Sequence, residues 1–130
     1  MIIELKLEDE VQILGAIQHH EVFDFLEKLD VYIHPSLTEG MPRALIEAMS
    51  VGCPAMGSDT GGIPELLSKE CLFQPGDVEQ IVSRISNLNS EKMIQMARTN
   101  FEKAAEFEQV VLNERRLNFY KEFLSENGFE

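Results

Sequence analysis

Two glutamates eight positions apart, Glu39 and Glu47, lie within PSLTEGMPRALIEAMSVGCPAMGSDTGGIPE at 35–65, among two glycine-bearing turns and two expected helix starts. A carboxylate carries only acceptors, so each glutamate can take two hydroxyl donors from one ribose or sugar diol. A helix start supplies backbone N–H donors and the positive end of the helix dipole, both suited to phosphate. Together these groups suit a ligand that joins a diphosphate to polyhydroxyl groups.

The flanking residues define the element that positions them. Pro42 is expected at the first helical position, where its missing N–H is harmless. From there Ala44, Leu45, Ala48 and Met49 make an apolar stripe, with Arg43, Glu47 and Ser50 on the opposite face. Gly52 and Pro54 end the helix. At about 1.5 Å per residue, Glu47 stands roughly 7–8 Å along the axis from the helix start. That is the reach from a diphosphate to the ribose of the same nucleotide. Glu39 falls just before the helix, after the strand-like run at 31–34, where open α/β sheets hold their ligands. Arg43 either pairs with Glu47 as an i,i+4 neighbour or contacts a phosphate. Thr60 and Gly61, at the next helix start, either complete a phosphate pocket or form a simple tight turn.

Elsewhere the chain alternates. Strands are expected at 11–17, 30–35, 54–58 and 71–74, with helices at 21–28, 42–51 and 63–68. This order indicates an α/β domain with a parallel sheet and crossover helices. Asp77 caps a helix whose Val78, Ile81, Val82, Ile85 and Leu88 share one face. Ser90 opens another, with Met93, Ile94 and Ala97 inward, and a long terminal helix spans about 107–126. No internal repeat or low-complexity tract is visible.

Composition narrows the partners. A net charge of −12 argues against nucleic acid and against direct docking on anionic lipid. No apolar run approaches the roughly 18–20 residues that span a bilayer, and the N-terminus turns acidic too early for a signal peptide. Cys53 and Cys71 lack metal-type spacing and are read as packed thiols of a cytoplasmic protein. His34, at a strand end, either packs with hydrogen bonds or faces the ligand. His19 and His20 fall in a loop after a strand, and Met41 is read as a flexible loop filler.

The string Glu39-Gly40-Met41-Pro42-Arg43-Ala44-Leu45-Ile46-Glu47-Ala48-Met49, followed by Gly52-Cys53-Pro54 and Gly61-Gly62-Ile63-Pro64-Glu65, resembles the E-x7-E region of family-4 retaining glycosyltransferases. These enzymes have the GT-B fold, and the similarity runs from the LGAI at 14–17 to the segment near Tyr120. The resemblance implies that Glu47 holds the ribose hydroxyls and that Glu39 contacts the donor sugar as the catalytic carboxylate. It places the backbone of Gly40, Met41 and Pro42 near sugar and phosphates. Pro42 has no N–H, so Met41, Arg43 or Ala44 must supply the phosphate donors. No metal and no cofactor are implied; the nucleotide-sugar donor is the substrate, UDP-sugar being favoured.

A family member has two Rossmann-like domains, and 130 residues hold one at most. We therefore expect residues 1–130 to be a truncated C-terminal donor-binding domain with a partial Rossmann-like sheet, flanking helices and a long C-terminal helix. The opening is read as the end of a helix feeding a strand, and the acceptor domain is expected to be absent. Such a fragment should be inactive alone, and its parent is expected to be either free in the cytoplasm or peripheral at a membrane. The alternative is a non-catalytic nucleotide-binding or protein-interaction module with a vestigial pocket. In a sheet of order 3-2-1-4-5-6, the strand at 11–17 would lack its neighbours. It is then a template for a homodimer through a swapped or added strand.

Overall fold

The computed structural model describes residues 1–128, and its regular structure begins at His19. The elements run α1 (His19–Leu26), β1 (Tyr32–His34), α2 (Arg43–Ser50), β2 (Ala55–Ser58), α3 (Ile63–Leu66), β3 (Leu72–Phe73), α4 (Val78–Ser86), α5 (Ser90–Ala104) and α6 (Gln109–Glu126). The three strands form a parallel sheet of order β1-β2-β3. Tyr32, Ile33 and His34 face Ala55, Met56 and Gly57, while Gly57 and Ser58 face Leu72 and Phe73. This is the expected α/β class, with strand and helix alternating along the chain.

The central strand is short and wholly buried, as a parallel strand covered on both faces should be. Leu45 and Met49 of α2, Met56 of β2, Ile63 of α3, Phe73 of β3 and Met96 of α5 make the main core. Gly57 is required there: a Cβ on it would lie 2.6 Å from Ile63 Cγ2, so only a bare backbone lets α3 close over β2. Leu26, Ala48 and Cys53 form a second cluster, against which Tyr32 packs. Asn100 is buried on α5, where its Nδ2 donates to the Cys53 carbonyl over 3.0 Å. The side chain thereby ties α5 to the turn that ends α2.

Helix ends follow their chemistry. Gly52 adopts φ +71 just past α2, a conformation that favours glycine. The Asp77 carboxylate accepts from the Gln80 N–H at 2.9 Å and caps α4 as expected.

Several expectations are corrected. Residues 11–17 form no strand, and all seven are exposed. A strand is stable only with a partner to satisfy its backbone, and among the described residues none pairs here. The opening residues form turns rather than a helix end, since one isolated turn cannot repay nucleation. On α4, Val78, Val82 and Ile85 point outward while Ile81 packs against the core. On α5, Ile94 is 62% exposed and Met96 and Asn100 turn inward instead. Ala44 is exposed as well. The buried arc is set by which neighbours are near, and periodicity alone leaves its angle open.

Candidate functional site at the carboxyl edge of the sheet

The loops at 35–42 and 59–62 leave the carboxyl ends of β1 and β2 and meet each other. The Gly62 N–H donates to the Gly40 carbonyl over 2.8 Å, and Thr60 Oγ1 reaches the Leu37 carbonyl at 3.5 Å. Gly61 sits at φ +55, where a Cβ would fall 2.0 Å from the Glu39 carbonyl oxygen. The second glycine turn is therefore a backbone-to-backbone clasp on the loop that carries Glu39.

Glu39 is held from three sides. Oε2 accepts from His34 Nε2 at 2.9 Å and from the Ser36 hydroxyl at 3.0 Å, while Oε1 accepts from the Gly40 N–H at 3.2 Å. The His34 bond first, then the Ser36 bond, hold its carboxyl below the usual range; desolvation opposes them and the Gly40 N–H adds a smaller push downward. His34 is thus a packed, hydrogen-bonded histidine, and its other nitrogen lies 3.0 Å from the Tyr32 hydroxyl. Burial first, then the charges of Glu47 and Glu39, raise the Tyr32 hydroxyl pKa, so both glutamates act on the same strand residue. His19 and His20 begin α1 on the exposed surface, where His19 stacks on Phe23.

Pro42 is the N-cap of α2 rather than its first helical residue: its φ of −78 suits either place, but its ψ of 102 is extended. The first bond of the helix runs from the Ile46 N–H to the Pro42 carbonyl. Among the described residues, nothing accepts from the N–H groups of Arg43, Ala44 and Leu45, and no side chain caps the helix. The unbonded N–H groups of the exposed residues Arg43 and Ala44, with the dipole end, therefore stand open at the start of α2, while Leu45 is buried in the core. Met41 is exposed, its methyl close to where a Cβ of Gly62 would lie.

Glu47 lies one turn further along α2, half-buried. Among the described residues its carboxylate has no ion-pair or hydrogen-bond partner, so no Arg43 pair forms. Its four lone-pair sites are free for hydroxyl donors. Sequence reasoning missed Tyr32 as an anchor of this group. Its spacing of two from His34 placed both on one face of the strand and was the available signal. No group of three or more His, Cys, Asp or Glu side chains gathers among the described residues. A cleft of about 720 Å³ lies elsewhere, between Cys71, Arg84, Leu88 and Met96.

A three-stranded parallel sheet, with a helix start and two carboxylates near its carboxyl edge, defines a chain of the GT-B C-terminal-domain type. It belongs to the glycosyl transferases group 1 family, which it matches over residues 1–107. A putative colanic acid biosynthesis glycosyltransferase, WcaL of Escherichia coli, is 33% identical over 126 residues, covering 87% of this chain and 31% of that protein. The phosphatidylinositol N-acetylglucosaminyltransferase gpi3 subunit of Schizosaccharomyces pombe is 29% identical over 126 residues, covering 94% of this chain and 28% of that one. The chain thus spans about a third of the length of these relatives.

The fold comparison agrees. Anabaena Alr3699/HepE in complex with UDP superposes with a TM-score of 0.86 and 24% identity, over 93% of this chain and 35% of that one. The same protein has been solved with UDP-glucose. The C-terminal domain of a glycosyl transferase group 1 family protein, LpcC of Francisella tularensis, gives a TM-score of 0.72 at 21% identity, over 80% of this chain and 56% of that one. No described helix is long and apolar enough to cross a membrane.

Proposed function

We propose that this chain is the donor-binding part of a retaining, family-4 type glycosyltransferase that moves a sugar from a nucleoside-diphosphate sugar to an acceptor. The observation that carries the reading is the uncapped start of α2 between a held Glu39 and an unpartnered Glu47. The N–H groups of the exposed residues Arg43 and Ala44 take the diphosphate, with the exposed Arg43 side chain beside it. Glu47 takes the ribose diol. Glu39 orients the donor sugar as charge develops on the departing diphosphate, which this helix start stabilises. Gly40, Met41 and Pro42 line the approach, while Thr60 and Gly61 hold the loop in place.

A UDP-sugar is the favoured donor, supported by the UDP and UDP-glucose complexes of the Anabaena protein. No metal or further cofactor is invoked. The acceptor domain belongs to the rest of the protein, so residues 1–130 alone do not turn over. Two buried free thiols support a reducing, cytoplasmic setting. The unpaired edge of β1 and the exposed apolar residues at 11–17 support pairing with a second copy through an added strand.

An NMR titration of labelled protein with UDP, GDP and ADP, run beside Glu47→Ala, tests this. Shifts that saturate for one nucleotide, centre on 40–47 and vanish in the variant are expected. No shifts at millimolar nucleotide would remove the donor-site reading and leave an assembly module with a vestigial pocket.

A further inference from the structure

The His34 ring is engaged at both nitrogens. Nδ1 lies 3.0 Å from the Tyr32 hydroxyl and Nε2 lies 2.9 Å from Glu39 Oε2. A carboxylate only accepts, so the proton of the second bond belongs to Nε2. In the neutral ring Nδ1 is then the acceptor, and the Tyr32 hydroxyl donates to it. Tyr32 and His34 share one face of β1, their rings 5.9 Å apart at 30°. Tyr32 itself packs against Leu26, Ala48 and Cys53, so the chain of bonds is anchored in the core.

The two oxygens of Glu39 are not equivalent. Oε2 accepts from both His34 and Ser36, whereas Oε1 has only the longer bond from the Gly40 N–H. Oε1 therefore keeps the greater open acceptor capacity. Exposure rises along the relay, from 16% for the His34 side chain to 28% for that of Glu39.

We propose that His34, held in its Nε2–H tautomer between Glu39 and the Tyr32 hydroxyl, is the positioning residue for Glu39, fixing Oε2 so that Oε1 meets a ligand hydroxyl. The proposal rests on Glu39 being a donor-sugar carboxylate and extends the site to two residues that act through it. A carboxylate already held needs little ordering when ligand arrives, which is the advantage of preorganisation. The depressed Glu39 pKa, with the His34 bond as its main cause, agrees with this arrangement.

The first arm of the test needs no ligand. Long-range proton–nitrogen NMR of the whole chain reports the His34 tautomer, and a single Nε2–H form is expected. An Nδ1–H form or an averaged mixture would overturn the proposal. The Glu39 carboxylate by itself favours the Nε2–H form, so Tyr32→Phe should keep that tautomer but move the Nδ1 nitrogen shift as its hydrogen bond is lost. An unchanged Nδ1 shift would remove Tyr32 from the relay. Carbon-detected titration of Glu39 should move up towards the usual carboxylate range in His34→Ala, with partial recovery in His34→Gln, which restores a donor. Equal midpoints in wild type and His34→Ala would also overturn it. In the last arm, Tyr32→Phe should weaken UDP-glucose binding by about fivefold, the worth of roughly one net hydrogen bond. Unchanged affinity counts against the relay. Failure of the wild-type chain to bind UDP-glucose defeats the donor-sugar role of Glu39, and with it the Oε1 assignment, while the tautomer and titration arms still decide the positioning.

Discussion

Gly61 lies so close to Glu39 that an added Cβ would stand 2.0 Å from the Glu39 carbonyl oxygen, and its φ is +55. The turn after β2 is thus the floor on which the Glu39 loop rests. Gly61→Ala should cost about 1–2 kcal/mol from left-handed backbone strain alone, with more from the clash. Thermal unfolding measures that loss, and a nucleotide titration should show weaker binding. A variant with wild-type melting and binding would mean that the clasp does not set the loop.

Asn100 offers a test of stability away from the site. Its amide satisfies the Cys53 carbonyl from a side chain only 3% exposed. Asn100→Ala strands that carbonyl and should lower stability by about 1–3 kcal/mol. Denaturant unfolding at unchanged m-value would report it.

Acid should uncouple Glu39. Its folded pKa is depressed, chiefly by the His34 bond and then by Ser36, so its contribution is fully present above the unfolded value. As pH falls through the folded value, protonation removes that contribution. Unfolding curves between neutral and acidic pH should therefore lose part of their acid slope in Glu39→Gln. Glu106, depressed chiefly by the Lys103 bond at 2.9 Å, supplies a comparison far from the site. Identical acid slopes for wild type and Glu39→Gln would contradict the first assignment.

The proposed added-strand dimer predicts a concentration-dependent mass. Ile13 is 80% exposed in the unpaired apolar segment. Sedimentation velocity should show a dimer at high concentration that Ile13→Lys dissolves, because a charge disfavours strand addition at an edge. A clean wild-type monomer at high concentration would end the idea.

Much of the fold is legible in the residues. Alternation of short apolar runs with amphipathic stretches set the element order, and Asp77 and Gly52 marked helix ends through local geometry. Glu39 and Glu47 stood out because a glycine, a proline and a helical stripe surround them. Other features were not legible. The strand expected at 11–17 depends on a partner strand, which no local pattern supplies. Arg43 and Glu47 have the spacing of a pair, yet they do not bond, since an ion pair that leaves Arg43 exposed gains little.

Local chemistry, read from the sequence by itself, determined the kind of domain, some of its helix ends and the two carboxylates, because caps, glycines and periodicity act within a few residues. Tertiary structure alone decided how the carboxylates are used. Parallel pairing set Tyr32 and His34 beside the buried β2 register, and the close approach of Gly61 to Glu39 folded one loop upon another. Those contacts join residues distant in the chain, and their distances depend on how helices and strands pack around the shared core.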